Sequence, residues 1–386
     1  MKIVADRNIP FAEECFSHLG SVCLLPGRQI TSQALADADI LLVRSVTPVD
    51  EKLLKGTNVK FVATATIGFE HIDLDYLSAN NIGFASAPGS NSNSVAEYVV
   101  AALLFLAGRG KFTLEGKSVG IVGLGNVGSK VDIKCRALGI KTVLNDPPLA
   151  RETGDTKYQP MDKIFQCDFI TLHTPLTYQG RDKTYHLADR NFFAQVKKGA
   201  YFINTARGAV METDAVKNAV KNGGLAGVVL DVWENEPNID CELVKMAHIA
   251  TPHIAGYSFD GKVGGMIMIY NAVCAYLGVK QRFTASDFLP ASDESQVKLS
   301  EIQGAESQEN LLREVLWHSY VINRDDFNTR EMLFQKQDKR GEFFDKLRRD
   351  YHVRREFGNT TIMVQDSQSV IANKLKGIGF KVRQEE

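Results

Sequence analysis

Short apolar runs punctuate the first ninety residues, separated by mixed polar stretches. KIVAD (2–6), VCLLP (22–26), DILLVRS (39–45) and KFVATAT (60–66) each sit between turn or polar residues. Runs this short, without polar alternation, predict strands buried on both faces of a largely parallel sheet with helical crossovers. The stretch PGSNSNSVAEYVVAALLFLAGRG follows. It predicts a helix from about Val95 to Leu106, with Ser94 and Glu97 as a capping box and Gly108 and Gly110 as stop signals. The helix is apolar nearly all round, so it should be buried, between two lobes.

A second, more regular series follows: KSVGIVG (117–123), KTVLND (141–146), DFITLHT (168–174), GAYFINT (199–205), GVVLDVW (227–233) and AHIAT (247–251). The helix-like stretch 259–278 then returns the chain to the first lobe. That predicts a discontinuous lobe of residues 1–93 and 257–282, a second domain over 94–256, and a cleft between them. From about 284 to 308 the chain is polar and reads as a linker. LLREVLWHSYVI and REMLFQKQDKRGEFFDKLRRDY have helical periodicity, and the tail reads strand (359–364), helix (367–379), strand. Residues 283–386 therefore read as a small α+β domain.

Bulk properties narrow the class. At 386 residues, two or three domains are expected. A net charge of -1 gives no steering toward nucleic acid or an acidic membrane. No apolar run approaches the roughly 18 residues of a spanning helix, and MKIVADRNIP lacks the regions of a signal peptide. The six cysteines show no Cys-x-x-Cys spacing, so neither a metal site nor a disulfide framework is expected. The expectation is a cytoplasmic α/β protein with no membrane, nucleic-acid or metal partner.

G-L-G-N-V-G at 123–128 lies directly after a predicted strand and before a helix. Gly123, Gly125 and Gly128 have the spacing for a tight turn and close backbone approach to a pyrophosphate, with Asn126 and Val127 opening the helix. Asp146 ends the next strand, where a carboxylate accepts hydrogen bonds from ribose hydroxyls. Pro147 and Pro148 follow, with no arginine for a 2′-phosphate, so NAD is favoured over NADP. Thr174, Arg207, Asp231 and His253 fall at or just past the ends of successive predicted strands, the edge where open α/β sheets bind ligands. His253 suits proton transfer from an alcohol, Glu236 can pair with it, and Arg207 offers a planar fork to a carboxylate.

G-L-G-N-V-G, N-T-A-R-G (204–208), D-V-W-E-N-E-P (231–237) and T-P-H-I-A-G (251–256) resemble the D-isomer-specific 2-hydroxyacid dehydrogenases over roughly residues 1–280. The resemblance implies two Rossmann-like or flavodoxin-like parallel-sheet lobes. It also implies a catalytic trio of Arg207, Glu236 and His253, and nicotinamide-side contacts at Asp231 and Gly256. A narrower likeness within the family rests on L-L-V-R-S (41–45), A-T-A-T-I-G-F-E-H-I-D (63–73) and H-I-A-G-Y-S (253–258). It implies a small anionic, phosphorylated hydroxy acid as substrate, contacts at Ser45, Thr66 and Tyr257, and a homodimer formed through residues 283–386. Arg44, beside Ser45, can add positive charge for a doubly anionic substrate. Arg348 and Arg349 would hold the phosphate if dimerisation brings them over the cleft. Pro147-Pro148, and Asp132 with several cations in the following helix, depart from the family pattern. Two alternatives stay open: a sister enzyme for another D-2-hydroxy acid such as 3-phosphoglycerate, and a non-catalytic NAD-sensing scaffold.

Overall fold

The protein is described by a computed structural model covering residues 1–290, 295–302 and 307–385. It divides into two compact units, Met1–Asn91 with Ser258–Ala291, and Ser92–Tyr257 with Ser292–Glu386. Among the described residues no helix is long and apolar enough to cross a membrane.

The first unit is built on five parallel strands: β1 (Lys2–Asp6), β2 (Ser21–Leu25), β3 (Ile40–Val43), β4 (Phe61–Thr64) and β5 (Gly83–Ala85). Their order is β2-β1-β3-β4-β5. Alternate residues point to opposite faces. Ile3, Ala5, Ile40, Leu42 and Phe61 meet Val263, Met266, Tyr270 and Val273 of the helix Phe259–Leu277. Val4, Leu41, Val43 and Val62 pack on the other side against Leu35, Val49, Leu54 and Leu77. Coverage of both faces is why these strands read as unbroken apolar runs. The strand order reverses between β1 and β3, and Arg44 and Ser45 lie just past β3 at that reversal.

The second unit carries six parallel strands: β6 (Ser118–Val122), β7 (Lys141–Asn145), β8 (Phe169–Leu172), β9 (Ala200–Asn204), β10 (Leu225–Leu230) and β11 (Ile249–Ala250). Their order is β7-β6-β8-β9-β10-β11. A third sheet, also parallel, has the order β12-β13-β14, from Ser295–Lys298, Thr360–Val364 and Lys381–Gln384.

Two sequence expectations need correction here. The helix predicted from Val95 begins at Ser92 and runs to Gly110, so Ser94 and Glu97 lie inside it and form no capping box. Ser94 Oγ instead donates to Glu356 at 2.7 Å, and Glu97 Oε1 accepts the Phe357 N–H at 2.9 Å. Asn93 bridges the two carboxylates, to Glu97 at 2.9 Å and Glu356 at 2.7 Å. The helix is buried within the second unit, packed on the helices Asn126–Ala137 and Gln308–Trp317. The segment read as a linker contains β12, a strand of the third sheet. Its residues 291–294 and 303–306 lie outside the described residues.

The C-terminal hundred residues pack with the second unit rather than standing apart. The helix Ser369–Ile378 lies on Asn126–Ala137 so closely that a Cβ on Gly377 would come within 2.3 Å of the Ala137 Cβ. Lys134 Nζ donates to the Ile378 carbonyl. Burial and Glu356 push the Glu97 carboxyl up, partly offset by Lys134 and Arg354.

Candidate active site

The turn after β6 shows why glycine recurs there. Gly123 has φ +90°, and a Cβ on it would lie 2.8 Å from the His173 carbonyl. One on Gly128 would lie 1.9 Å from the Gly123 carbonyl oxygen. Packing of turn on sheet and helix on turn therefore excludes side chains at both positions. At Gly125 nothing lies within 4 Å, so its backbone faces open space. Gly125 is also the N-cap of Asn126–Ala137, and no side chain caps that end, the geometry in which helix N–H groups receive a phosphate.

Asp146 anchors this turn. Its Oδ2 accepts the Leu124 N–H at 2.8 Å, and its Oδ1 accepts the Leu149 N–H at 3.1 Å as N-cap of the helix Pro147–Thr153. The Pro147-Pro148 pair thus opens a helix, where the missing N–H groups cost nothing. Thr174, two residues past β8, keeps its Oγ1 buried without a hydrogen-bond partner. The glycine cradle, the open face at Gly125 and the orphaned Thr174 hydroxyl fit a bound dinucleotide.

The loops after β9, β10 and β11 interlock. Asn204 Oδ1 accepts the Ala206 N–H at 3.0 Å, and Asn204 Nδ2 donates to the Arg207 carbonyl at 3.1 Å. Arg207 Nη1 donates to the Ala206 carbonyl at 2.8 Å. A Cβ on Gly208 would lie 1.9 Å from the Trp233 carbonyl oxygen, so glycine alone lets the N-T-A-R-G and D-V-W loops touch. Asp231 is 1 % exposed. It accepts from Thr251 Oγ1 at 2.6 Å, from the Ile254 N–H at 2.8 Å and from the Ala255 N–H at 3.0 Å. Its main observed work is therefore to hold the loop that carries His253 and Gly256.

Within this frame Glu236 Oε2 lies 2.8 Å from His253 Nδ1, and Oε1 accepts the Trp233 N–H at 2.9 Å. Burial pushes the Glu236 carboxyl up. The adjacent His253, the Trp233 N–H and the Arg348 charge outweigh it, and the net shift is downward. His253 itself takes φ +59°, and its N–H donates to the Asp231 carbonyl at 2.7 Å.

Sequence reasoning missed three residues here. His173 is held by Thr171 Oγ1 at 3.0 Å and Thr205 Oγ1 at 3.3 Å, and burial pushes it down to about 3, so the ring is neutral. Its position at a strand end beside Thr174 was the available signal. Arg354, 2 % exposed, donates from Nη2 to the Ala255 carbonyl at 2.7 Å and the Ser94 carbonyl at 3.3 Å. Trp233 Nε1 donates to the Thr251 carbonyl at 2.9 Å. The expected Arg348–Arg349 pair separates. Arg348 lies with its guanidinium 5.9 Å from the centre of the Tyr257 ring in the same chain, whereas Arg349 is exposed and paired with Asp350.

The remaining predicted contacts lie in the first unit. Arg44 Nη1 reaches the Asn8 carbonyl at 3.4 Å and Ser45 is exposed. Thr66 Oγ1 donates to the Gly68 carbonyl at 2.9 Å, two residues past β4.

Residues 106–255 match the family model described as D-isomer specific 2-hydroxyacid dehydrogenase, NAD binding domain, and residues 288–379 match a domain of unknown function. An erythronate-4-phosphate dehydrogenase of Hahella chejuensis is 41% identical over 99% of both chains. One from Salinibacter ruber is 45% identical over 94% of both. Among solved structures, D-lactate dehydrogenase from Aquifex aeolicus, complexed with NAD and lactic acid, is 26% identical with a TM-score of 0.60, covering 72% of this chain and 96% of its own. The NAD+-bound 3-phosphoglycerate dehydrogenase of Entamoeba histolytica, 23% identical with a TM-score of 0.63, covers 74% and 98% and shares the fold.

Proposed function

The chain belongs to the erythronate-4-phosphate dehydrogenases, and we propose that it oxidises 4-phospho-D-erythronate at C2 with NAD. The product is (R)-3-hydroxy-2-oxo-4-phosphooxybutanoate, a step in pyridoxal 5′-phosphate (vitamin B6) biosynthesis. The observation that carries this reading is the Glu236–His253 pair, held 2.8 Å apart on loops interlocked with the one that carries Arg207.

With Nδ1–H donated to Glu236, His253 Nε2 carries the lone pair that accepts the C2 hydroxyl proton. Arg207 binds the substrate carboxylate, its Nη1 bond to the Ala206 carbonyl fixing the plane of the guanidinium. Asp231 holds the His253 loop in register. Bound NAD supplies the acceptor for the C2 hydride. Gly123, Gly125, Asn126, Val127 and Gly128 would hold its pyrophosphate and Asp146 its ribose, Thr174 would contact it as well, and Asp231 and Gly256 would lie toward the nicotinamide. Arg44, Ser45, Thr66 and Tyr257 contact the substrate. The C2 hydroxyl proton leaves on His253.

We further infer a cytoplasmic homodimer formed through residues 283–386. Sedimentation of the whole chain at the mass of one chain would sink the dimer. NADH absorbance recorded with 4-phospho-D-erythronate, 3-phosphoglycerate and D-lactate tests the reaction. Turnover is expected with the first, and turnover confined to either of the others overturns the substrate.

A further inference from the structure

We propose that Arg348 and Tyr257 form an anion subsite beside the acid–base pair, and that it holds the phosphate of the substrate. The inference rests on the reaction just proposed, and extends it to a residue of the C-terminal segment.

Arg348 lies in the last turn of the helix Arg340–Arg349. Its guanidinium is 5.9 Å from the centre of the Tyr257 ring and 5.9 Å from that of Phe344, so two aromatic rings fix where the cation sits. Tyr351 meets Tyr257 edge-on at 5.8 Å and steadies the same ring. The Arg348 guanidinium hydrogen-bonds Tyr257 and feels the charges of Glu236 and Asp345, but its Nε is buried and has no hydrogen-bond partner. A buried, unsatisfied donor on a cation is costly unless an anion completes it. Tyr257 belongs to the turn that follows His253, its N–H donating to the Ile254 carbonyl at 2.8 Å, so the cation against its ring sits by the catalytic loop, and its charge helps to lower the Glu236 carboxyl. Arg349, one residue on, shows the contrast: it faces solvent and pairs with its own neighbour.

The chemistry of the substrate asks for such a group. Arg207 matches one anionic end, the carboxylate beside C2. The phosphate at the other end carries nearly two further charges and prefers a planar, multi-donor partner. Arg348 offers that partner with its position already set by packing, so little side-chain entropy is lost on binding.

The test compares wild type, Arg348→Ala and Arg348→Lys by the KM for 4-phospho-D-erythronate and by competitive inhibition with inorganic phosphate and with D-erythronate. NADH titration checks that each variant keeps its fold. Arg348→Ala is expected to raise KM by about 10- to 100-fold and to weaken phosphate inhibition to match. Inhibition by D-erythronate, which lacks the phosphate, stays within about twofold, the experimental margin for an untouched contact. Arg348→Lys falls between, and decides the matter if the alanine variant fails to bind NADH. An unchanged KM, or equal weakening of both inhibitors, overturns the subsite. Wild type inert toward 4-phospho-D-erythronate removes the substrate reading alone; equilibrium titration of the NADH complex with phosphate then still decides the subsite.

Discussion

Glu236 joins His253 to the loop that precedes it: one carboxylate oxygen lies 2.8 Å from His253 Nδ1 and the other accepts the Trp233 N–H. Its carboxyl titrates below the ordinary value when folded. The pairing therefore stabilises the fold fully above the unfolded value, about pH 4.3, and is lost as pH falls through the lower folded value. Glu236→Gln should melt below wild type at pH 7, with the gap closing as pH drops under about 4. Melting temperatures across pH 3–8 check the sign. A gap that widens in acid contradicts the assignment.

His253 occupies a left-handed backbone position, φ +59°, which asparagine tolerates better than alanine. His253→Asn is accordingly the cleaner probe of the imidazole. It should lower kcat about 10²- to 10⁴-fold while NADH affinity stays near wild type. Stopped-flow and equilibrium titration separate the two effects, and retention of full turnover would end the acid–base role.

Gly125 and Gly208 make a contrasting pair. Gly125→Ala meets no atom within 4 Å, so thermal stability of the free protein should hold while NADH affinity falls. Gly208→Ala drives a Cβ against the Trp233 carbonyl and should destabilise by about 1–3 kcal/mol. Calorimetry with and without NADH distinguishes the two patterns. Equal loss of stability in both variants would remove the case for Gly125 as a point of ligand approach.

Arg354 is buried and grips the Ala255 carbonyl of the catalytic loop. Arg354→Met should cost about 3–5 kcal/mol, because Glu97 and Asp325 lose a buried cation, and should slow turnover through a loosened loop. Both tryptophans, Trp233 and Trp317, lie in the second unit. Urea unfolding followed by their fluorescence reads that unit directly; an unchanged midpoint would refute the role.

Local physics made the strands and their ligand-bearing ends legible. DILLVRS and DFITLHT are short apolar runs, and such runs admit few structures once both faces must be covered. Arg207, Glu236 and His253 follow strands whose ends had already been located. The misreadings involve partners far away in the chain. Ser94 and Glu97 match a capping box in spacing, but their partners are Glu356 and Phe357. SQVK is too polar and brief to read as a strand, and becomes one only beside Thr360–Val364. Arg348 and Arg349 read alike as candidates for the phosphate, and only Tyr257 beside Arg348 tells them apart. Periodicity carries no information about pairings between such distant residues.

The pairing of Glu97 with Phe357 also bears on how the chain is made. Synthesis runs from the N-terminus, so this carboxyl and its apolar helix wait for a partner some 260 residues downstream. The first unit waits too, since Met1–Asn91 is completed only by Ser258–Ala291. At about 5–20 residues per second, each gap leaves apolar surface uncovered on the ribosome for roughly ten seconds or more. Neither unit can close until its distant downstream segment has emerged, which makes the nascent chain a natural client for chaperones and ties production of active enzyme to translation passing Phe357.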